Sequence, residues 1–223
     1  HKLEMMKMPH VGLMMTSSQD GVTDSAAAGT AMATGYKTKN GMVGMTPNAE
    51  VDSILDFAQA RGKATGIIST NKVNDATPAA FATSAKDRSD DAAISRQIIE
   101  NNVDIAFGGG RGDFTEEILA DAKERGYEIV ENENELAAAD SSKILGLFHE
   151  SYMNYKLDRD DVNSKEPSLL EMTRKAVNTL SKDEDGFFLM SEGARIDHAA
   201  HAADIPGIVA ETLEFDRTVE YAV

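Results

Sequence analysis

Gly186-Phe187-Phe188-Leu189-Met190 leads without a break into Ser191-Glu192-Gly193-Ala194-Arg195-Ile196-Asp197-His198-Ala199-Ala200-His201. A short, strongly apolar run of this kind reads as a strand. The change at Ser191 to polar and charged residues then marks its carboxyl end. The same pattern recurs upstream. Thr65–Thr70 (TGIIST) predicts a strand followed by polar Asn74-Asp75-Ala76-Thr77, and Asp104–Phe107 predicts one that exits through a sharp turn at Gly108-Gly109-Gly110. Further strands are expected at Tyr127–Val130 and Lys143–Phe148. Between them, helices are expected at Ala49–Ala60 with Asn48 as N-cap, at Asp90–Glu100, Glu116–Glu124 and Ser168–Leu180, and, built of very small residues, at Ala26–Tyr36. Glu214–Val223 reads as helix and Asn154–Glu166 as an exposed loop. Alternation of this kind predicts an α/β fold, a mostly parallel central sheet flanked by helices, as a single domain over residues 1–223. In such sheets ligands bind beyond the carboxyl ends of the strands, which directs attention to residues 74–77 and 192–201.

The chain has 223 residues, no cysteine and a formal net charge of −16. That length suffices for a sizeable core. Without thiols there is no disulfide framework and no thiolate metal site, so any metal must be held by oxygen and imidazole nitrogen. So acidic a surface repels nucleic acid and anionic membranes. It repels anionic substrates as well, and a phosphate site here needs local cations. No apolar run is long enough to span a bilayer, and His1-Lys2-Leu3-Glu4 is unlike a signal peptide. The start at His1, and a helix still in mid-course at Val223, lead us to expect a piece of a longer protein.

Three constellations carry candidate chemistry. In Val22-Thr23-Asp24-Ser25-Ala26-Ala27-Ala28-Gly29-Thr30, Ser25 stands at the start of the small-residue helix, where free N–H groups and the helix dipole favour an anion; the competing reading is an ordinary Asp or Ser N-cap. Asp197 and His201 lie four residues apart, on one face of a helix, and supply a carboxylate and an imidazole suited to zinc, while Glu192 suits a harder ion such as magnesium; the competing reading is a solvated helix start. Thr77 offers a hydroxyl to a hard ion and Arg88 a fork for phosphate, against a simple turn before Pro78 and a surface arginine. Gly108-Gly109-Gly110-Arg111 fits neither a Walker loop nor a dinucleotide fingerprint.

In order and spacing these segments resemble the alkaline phosphatase family. Val22–Thr30 is similar to its serine-site signature at every position. Asp75-Ala76-Thr77-Pro78, with Arg88 thirteen residues after Asp75, resembles its magnesium-side loop and phosphate-binding arginine. Glu192, Asp197 and His201, spaced five and four, resemble its Glu-Gly-x-x-Ile-Asp…His metal segment, and Phe107–Arg111 resembles a glycine–arginine turn common there. The resemblance runs from about Val11 to His201.

It implies the family's three-layer sandwich, here incomplete, and hydrolysis of phosphate monoesters through a phosphoserine intermediate on Ser25, with two zinc ions and one magnesium. One zinc would contact and activate Ser25. The second, held partly by Asp197 and His201, would stabilise the leaving oxygen. Thr77 and Glu192 would bind magnesium, with Asp75 hydrogen-bonded around it. Arg88 would bind the non-bridging phosphate oxygens, and Asp24 would orient Arg88. His198 stands at a position that varies in the family and is expected beside the magnesium ligands or the phosphate. The family's bridging Asp ahead of the serine, and its later Asp-His pair and further His, have no counterpart in these residues, so little or no activity is expected of this chain alone. The same resemblance implies small phosphate-monoester substrates, inorganic phosphate as product, no nucleic-acid partner, a periplasmic or extracellular location and a homodimer at full length. Two other readings stay open: a phosphodiesterase or phosphomutase of the same superfamily, and a non-catalytic core fragment.

Overall fold

The computed structural model describes residues 2–223; His1, which opens the stretch read as unlike a signal peptide, lies outside the described residues. A 3-10 turn at Glu4–Lys7 precedes α1 (Ser25–Thr34). Asp24, extended at φ −107°, caps α1 by accepting the Ala27 N–H at 2.9 Å, and Gly35 closes it in the left-handed conformation at φ 78°, which glycine adopts without strain. An antiparallel pair follows, β1 (Met45–Thr46) and β2 (Ala49–Glu50), and then α2 (Ile54–Gln59).

The helix expected from Ala49 therefore begins only at Ile54, and Asn48 is not its cap. Ala49 and Glu50 are engaged by the hairpin. Ser53 and Asp56 instead accept each other's backbone N–H groups in a capping box, which satisfies two donors that the first turn leaves free.

The remaining elements are β3 (Ala64–Lys72), α3 (Ala76–Ala82), α4 (Asp91–Glu100), β4 (Ile105–Gly109), α5 (Glu116–Glu124), β5 (Glu128–Val130), α6 (Glu133–Ala138), β6 (Ile144–Leu147), α7 (Leu169–Leu180), β7 (Phe187–Glu192), α8 (Arg195–His201) and α9 (Ile205–Ala222). Two of these helices, α3 and α6, are absent from the expectations above. Pro78 suggests a turn, but it is the third residue of α3, where no helical N–H bond is lost and the ring fits. Gly108 and Gly109 belong to β4 rather than to the exit turn, which comes at Gly110 (φ 93°).

Five strands form one sheet in the order β5-β6-β4-β3-β7, every pair parallel. Successive residues of a strand face opposite sides, and in the central β3 both sides are covered. Ile67 belongs to the core cluster shared with residues of α3, α4 and α5, while its neighbour Ile68 belongs to the one shared with α6 and α7; both are fully buried. Each such side chain contributes about 1.5–3 kcal/mol. The helices thus lie on both faces, as the alternation of strand and helix predicts. Residues 154–166 form turns without regular structure, as expected, but the loop is not simply exposed. Glu166 is only 7% exposed, accepts the Asn154 N–H at 2.9 Å and pairs with Arg159 at 3.6 Å.

Candidate active site

The polar clusters after β3 and β7 meet because these strands are neighbours. Ser69 pairs with Glu192 in the parallel register, close to the carboxyl end of both. There the Ser69 hydroxyl donates to Glu192 Oε2 at 2.8 Å, and Thr77, in the first turn of α3, is close enough to favour the charge of the same carboxylate. Burial pushes the Glu192 carboxyl above its ordinary value, and the two hydroxyls oppose that shift.

The small-residue helix explains how Ser25 reaches this region. α1 crosses α3 so closely that a Cβ on Gly29 would stand 3.2 Å from Ala80 Cβ and 3.3 Å from Thr77 Cα. The starts of the two helices are then bridged by one side chain. Arg88 Nη2 donates to Asp75 Oδ1 at 3.0 Å, and Arg88 Nη1 lies 3.7 Å from Asp24 Oδ2. Asp75 therefore holds the arginine more closely than Asp24, the residue expected to orient it. Asp75 also caps α3, accepting the Ala76 N–H at 2.8 Å, and accepts a bond from Asn71 Nδ2. Asp24 caps α1 and accepts the Gly41 N–H at 2.9 Å. Ser25, the first residue of α1, is exposed, and about a third of the Arg88 side chain remains open to solvent.

Beyond β7, α8 places Asp197 and His201 on one face, with His201 Nε2 3.6 Å from Asp197 Oδ2 and both side chains largely exposed. His198 turns inward. Arg195 Nη1 contacts its Nδ1 at 2.6 Å, Asn71 Nδ2 lies 3.3 Å from its Nε2, and Tyr152 meets its ring edge-on at 4.9 Å. Burial and then the Arg195 charge lower the His198 pKa, which favours the neutral imidazole. Through Asn71, His198 is linked to Asp75.

The donor chemistry fits metal ions in part. Glu192 and Thr77 form a hard oxygen pair of the kind magnesium takes, and Asp197 with His201 is half of a tetrahedral zinc set. No three His, Asp or Glu side chains converge on one point among the described residues. Two polar partners escape sequence reasoning, Ser69 and Asn71, although Ser69 carried a signal as the polar end of a predicted strand. Asn74 and Arg195 lie within the stretches 74–77 and 192–201 singled out above, but no role was expected of them. Their roles rest on tertiary contacts that no local pattern announces.

Comparison with known proteins agrees with this architecture. The family model for alkaline phosphatase matches residues 1–223. Alkaline phosphatase 4 of Bacillus subtilis is 37% identical over 95% of this chain and 48% of its own length. The crystal structure of Thermus thermophilus alkaline phosphatase superposes with a TM-score of 0.91 at 32% identity, covering 95% of this chain and 46% of that one. A TAB5 alkaline phosphatase mutant with Mg bound in its M3 site superposes at 0.89 with 29% identity, over all of this chain and 65% of that one. The chain spans about half the length of the curated relatives it matches. No helix among the described residues is long and apolar enough to cross a membrane.

Proposed function

The chain belongs to the alkaline phosphatase family, and from that membership we propose that its site takes part in hydrolysing phosphate monoesters, with Ser25 as nucleophile. The observation that carries this reading is Arg88, held between Asp75 and Asp24 beside the exposed first residue of α1. A guanidinium fork locked by two carboxylates presents its free N–H groups in a fixed direction, suited to two non-bridging phosphate oxygens. The N–H groups at the start of α1 favour the same anion. Together they counter the repulsion expected from a net charge of −16.

In the proposed reaction Ser25 Oγ bonds to phosphorus as the ester P–O bond breaks, and the departing alcohol oxygen takes up a proton. Water then attacks the phosphoserine, the Oγ–P bond breaks, inorganic phosphate leaves and Oγ regains a proton. Thr77 and Glu192 would hold magnesium, with Asp75 and His198 among its surroundings. Asp197 and His201 would hold one zinc, and Ser25 would face the other. When bound, these ions would lower the serine pKa and stabilise the leaving oxygen. A homodimeric, periplasmic or extracellular enzyme is the setting that family membership favours.

The test is hydrolysis of a chromogenic aryl phosphate by the full-length protein supplied with zinc and magnesium, against Ser25→Ala. Loss of turnover is expected; equal turnover in both would remove Ser25 from the nucleophile's role. Residues 1–223 alone, offering two of the side chains a zinc site requires, should turn over little substrate. Robust zinc-dependent turnover by this piece would overturn that expectation.

A further inference from the structure

The exit turn of β4 at Gly110-Arg111 plays no part in the chemistry above, yet it closes on the loop that carries Asp75. Asn74 is completely buried there, next to Asp75. Its Nδ2 donates to Asp113 Oδ2 at 3.1 Å and to Asp91 Oδ1 at 3.3 Å. Lys72, the last residue of β3, binds the same two carboxylates, at 2.8 Å to Asp113 and 3.6 Å to Asp91. Asp113 belongs to the 3-10 turn Arg111–Asp113 after β4, and Asp91 opens α4 just beyond the loop bearing Arg88. One amide and one ammonium group therefore tie together the three segments that emerge around the carboxyl ends of β3 and β4.

Glycine is required for this closure. Gly110 has φ 93°, and a Cβ there would lie 2.5 Å from Asn74 Oδ1. That oxygen has no hydrogen-bond partner. A buried acceptor left unpaired is unfavourable, and a purely structural filler at this position would be better served by an apolar side chain. The amide is needed for its donor side, which faces two acids at once.

We propose that Asn74, with Lys72, Asp91 and Asp113, is a positioning device for Asp75 and, through Asp75, for the guanidinium of Arg88. The proposal rests on the reading that Arg88 binds phosphate. Asn74 precedes the Asp75 backbone directly, so fixing its amide fixes the Asp75 carboxylate that Arg88 leans on. Asp91 anchors the far end of the Arg88 loop to the same point.

The test replaces Asn74 by Ala and, separately, Lys72 by Met, with Lys72→Arg as the conservative control. Two readouts are taken on the full-length, metal-supplied protein: the Arg88 Nε–H resonance by NMR, and the inhibition constant for inorganic phosphate alongside kcat and KM. Asn74→Ala and Lys72→Met should move the Arg88 resonance and weaken phosphate binding roughly 10- to 100-fold, raising KM more than they lower kcat, and Lys72→Arg should restore most of it. If both variants fold, melt lower, and leave the Arg88 resonance and phosphate affinity unchanged, the network is only structural and the proposal fails. Should the wild-type protein turn over no phosphate ester, the proposed function fails, and the Arg88 resonance still decides this point: shifted, it supports the device; unmoved, it overturns it.

Discussion

Replacing Gly29 by valine tests whether the close crossing of α1 and α3 sets the geometry of the site. At this position a Cβ alone would meet Ala80 Cβ at 3.2 Å, Thr77 Cα at 3.3 Å and the Ala76 carbonyl oxygen at 3.5 Å. Carbon atoms are comfortable at about 3.5–4.0 Å, so one methyl falls short by a few tenths of an ångström. Alanine gains about 1 kcal/mol of helix propensity over glycine, which roughly offsets that crowding, and Gly29→Ala should be near neutral. Valine gains less propensity and adds two further methyls with backbone on one side and Ala80 on the other. Overpacking of this kind costs about 1–3 kcal/mol, or roughly 3–10 °C in melting temperature for a chain of this length. The strain is relieved by moving α1 away from α3, which separates Asp24 from Asp75 and pulls Ser25 from Thr77. Turnover in the full-length protein should then fall roughly 100-fold, the usual consequence of misplacing reacting groups by about 1 Å. Thermal unfolding by circular dichroism and aryl phosphate hydrolysis measure the two effects. A valine variant that melts with the wild type and keeps its turnover would refute the idea that this contact sets the site.

Arg88→Lys keeps the charge but loses the fork, so phosphate inhibition should weaken at least tenfold while the fold is retained; unchanged inhibition would mean that Arg88 does not bind phosphate. Chelation of zinc and magnesium should abolish hydrolysis, and only the two ions together should restore it fully, as followed by turnover after stepwise re-addition. Glu166→Ala leaves Arg159 with its buried ion pair broken, a loss of about 3–5 kcal/mol, and should open residues 154–166 to limited proteolysis. Asp104 accepts the Thr65 N–H at 2.8 Å, yet burial raises its pKa in the folded chain. A raised carboxyl is protonated more readily folded than unfolded, so its contribution is fully present in acid and is lost as pH rises through the folded value. Asp104→Asn should therefore melt above the wild type at pH 7, with the gap closing towards pH 3; a gap that widens in acid would contradict the assignment.

The inner strands β3, β4 and β6 were legible because they are buried on both faces and so read as apolar runs, as Ile67-Ile68 does. Phe187–Met190 is as apolar a run, yet β7 lies at the sheet edge, with Phe187 37% exposed and the residues after it half-buried. Helix boundaries were legible where a cap is local, as with Ser168 and Glu171 in the capping box of α7. They were misread where a neighbour competed for the backbone: the hairpin took Ala49 and Glu50, and the helix began later at the better cap, Ser53. α3 was hidden by Pro78, whose breaking tendency disappears in a first turn.

The candidate site divides along the same line. Ser25, Arg88, Thr77, Glu192, Asp197 and His201 were legible through their joint order and spacing, which match a known family, whereas each alone also reads as an ordinary cap, turn or solvated helix residue. What holds them in place is not local. Asp75 reaches Arg88 across thirteen residues and Asn71 reaches His198 across 127. Asn74 reaches Asp113 across 39. A polar side chain completes such a contact only after the sheet has brought the loops together, so its role leaves no periodic trace in the chain. Composition points the same way. With 38 acidic against 22 basic residues, unassisted acidic clusters at strand ends would repel any phosphate, and three half-buried cations, Lys72, Arg88 and Arg195, sit where those clusters converge. Substituting any of the three should therefore change the site more than the loss of one surface charge elsewhere, whose effect on stability is at most about 1 kcal/mol.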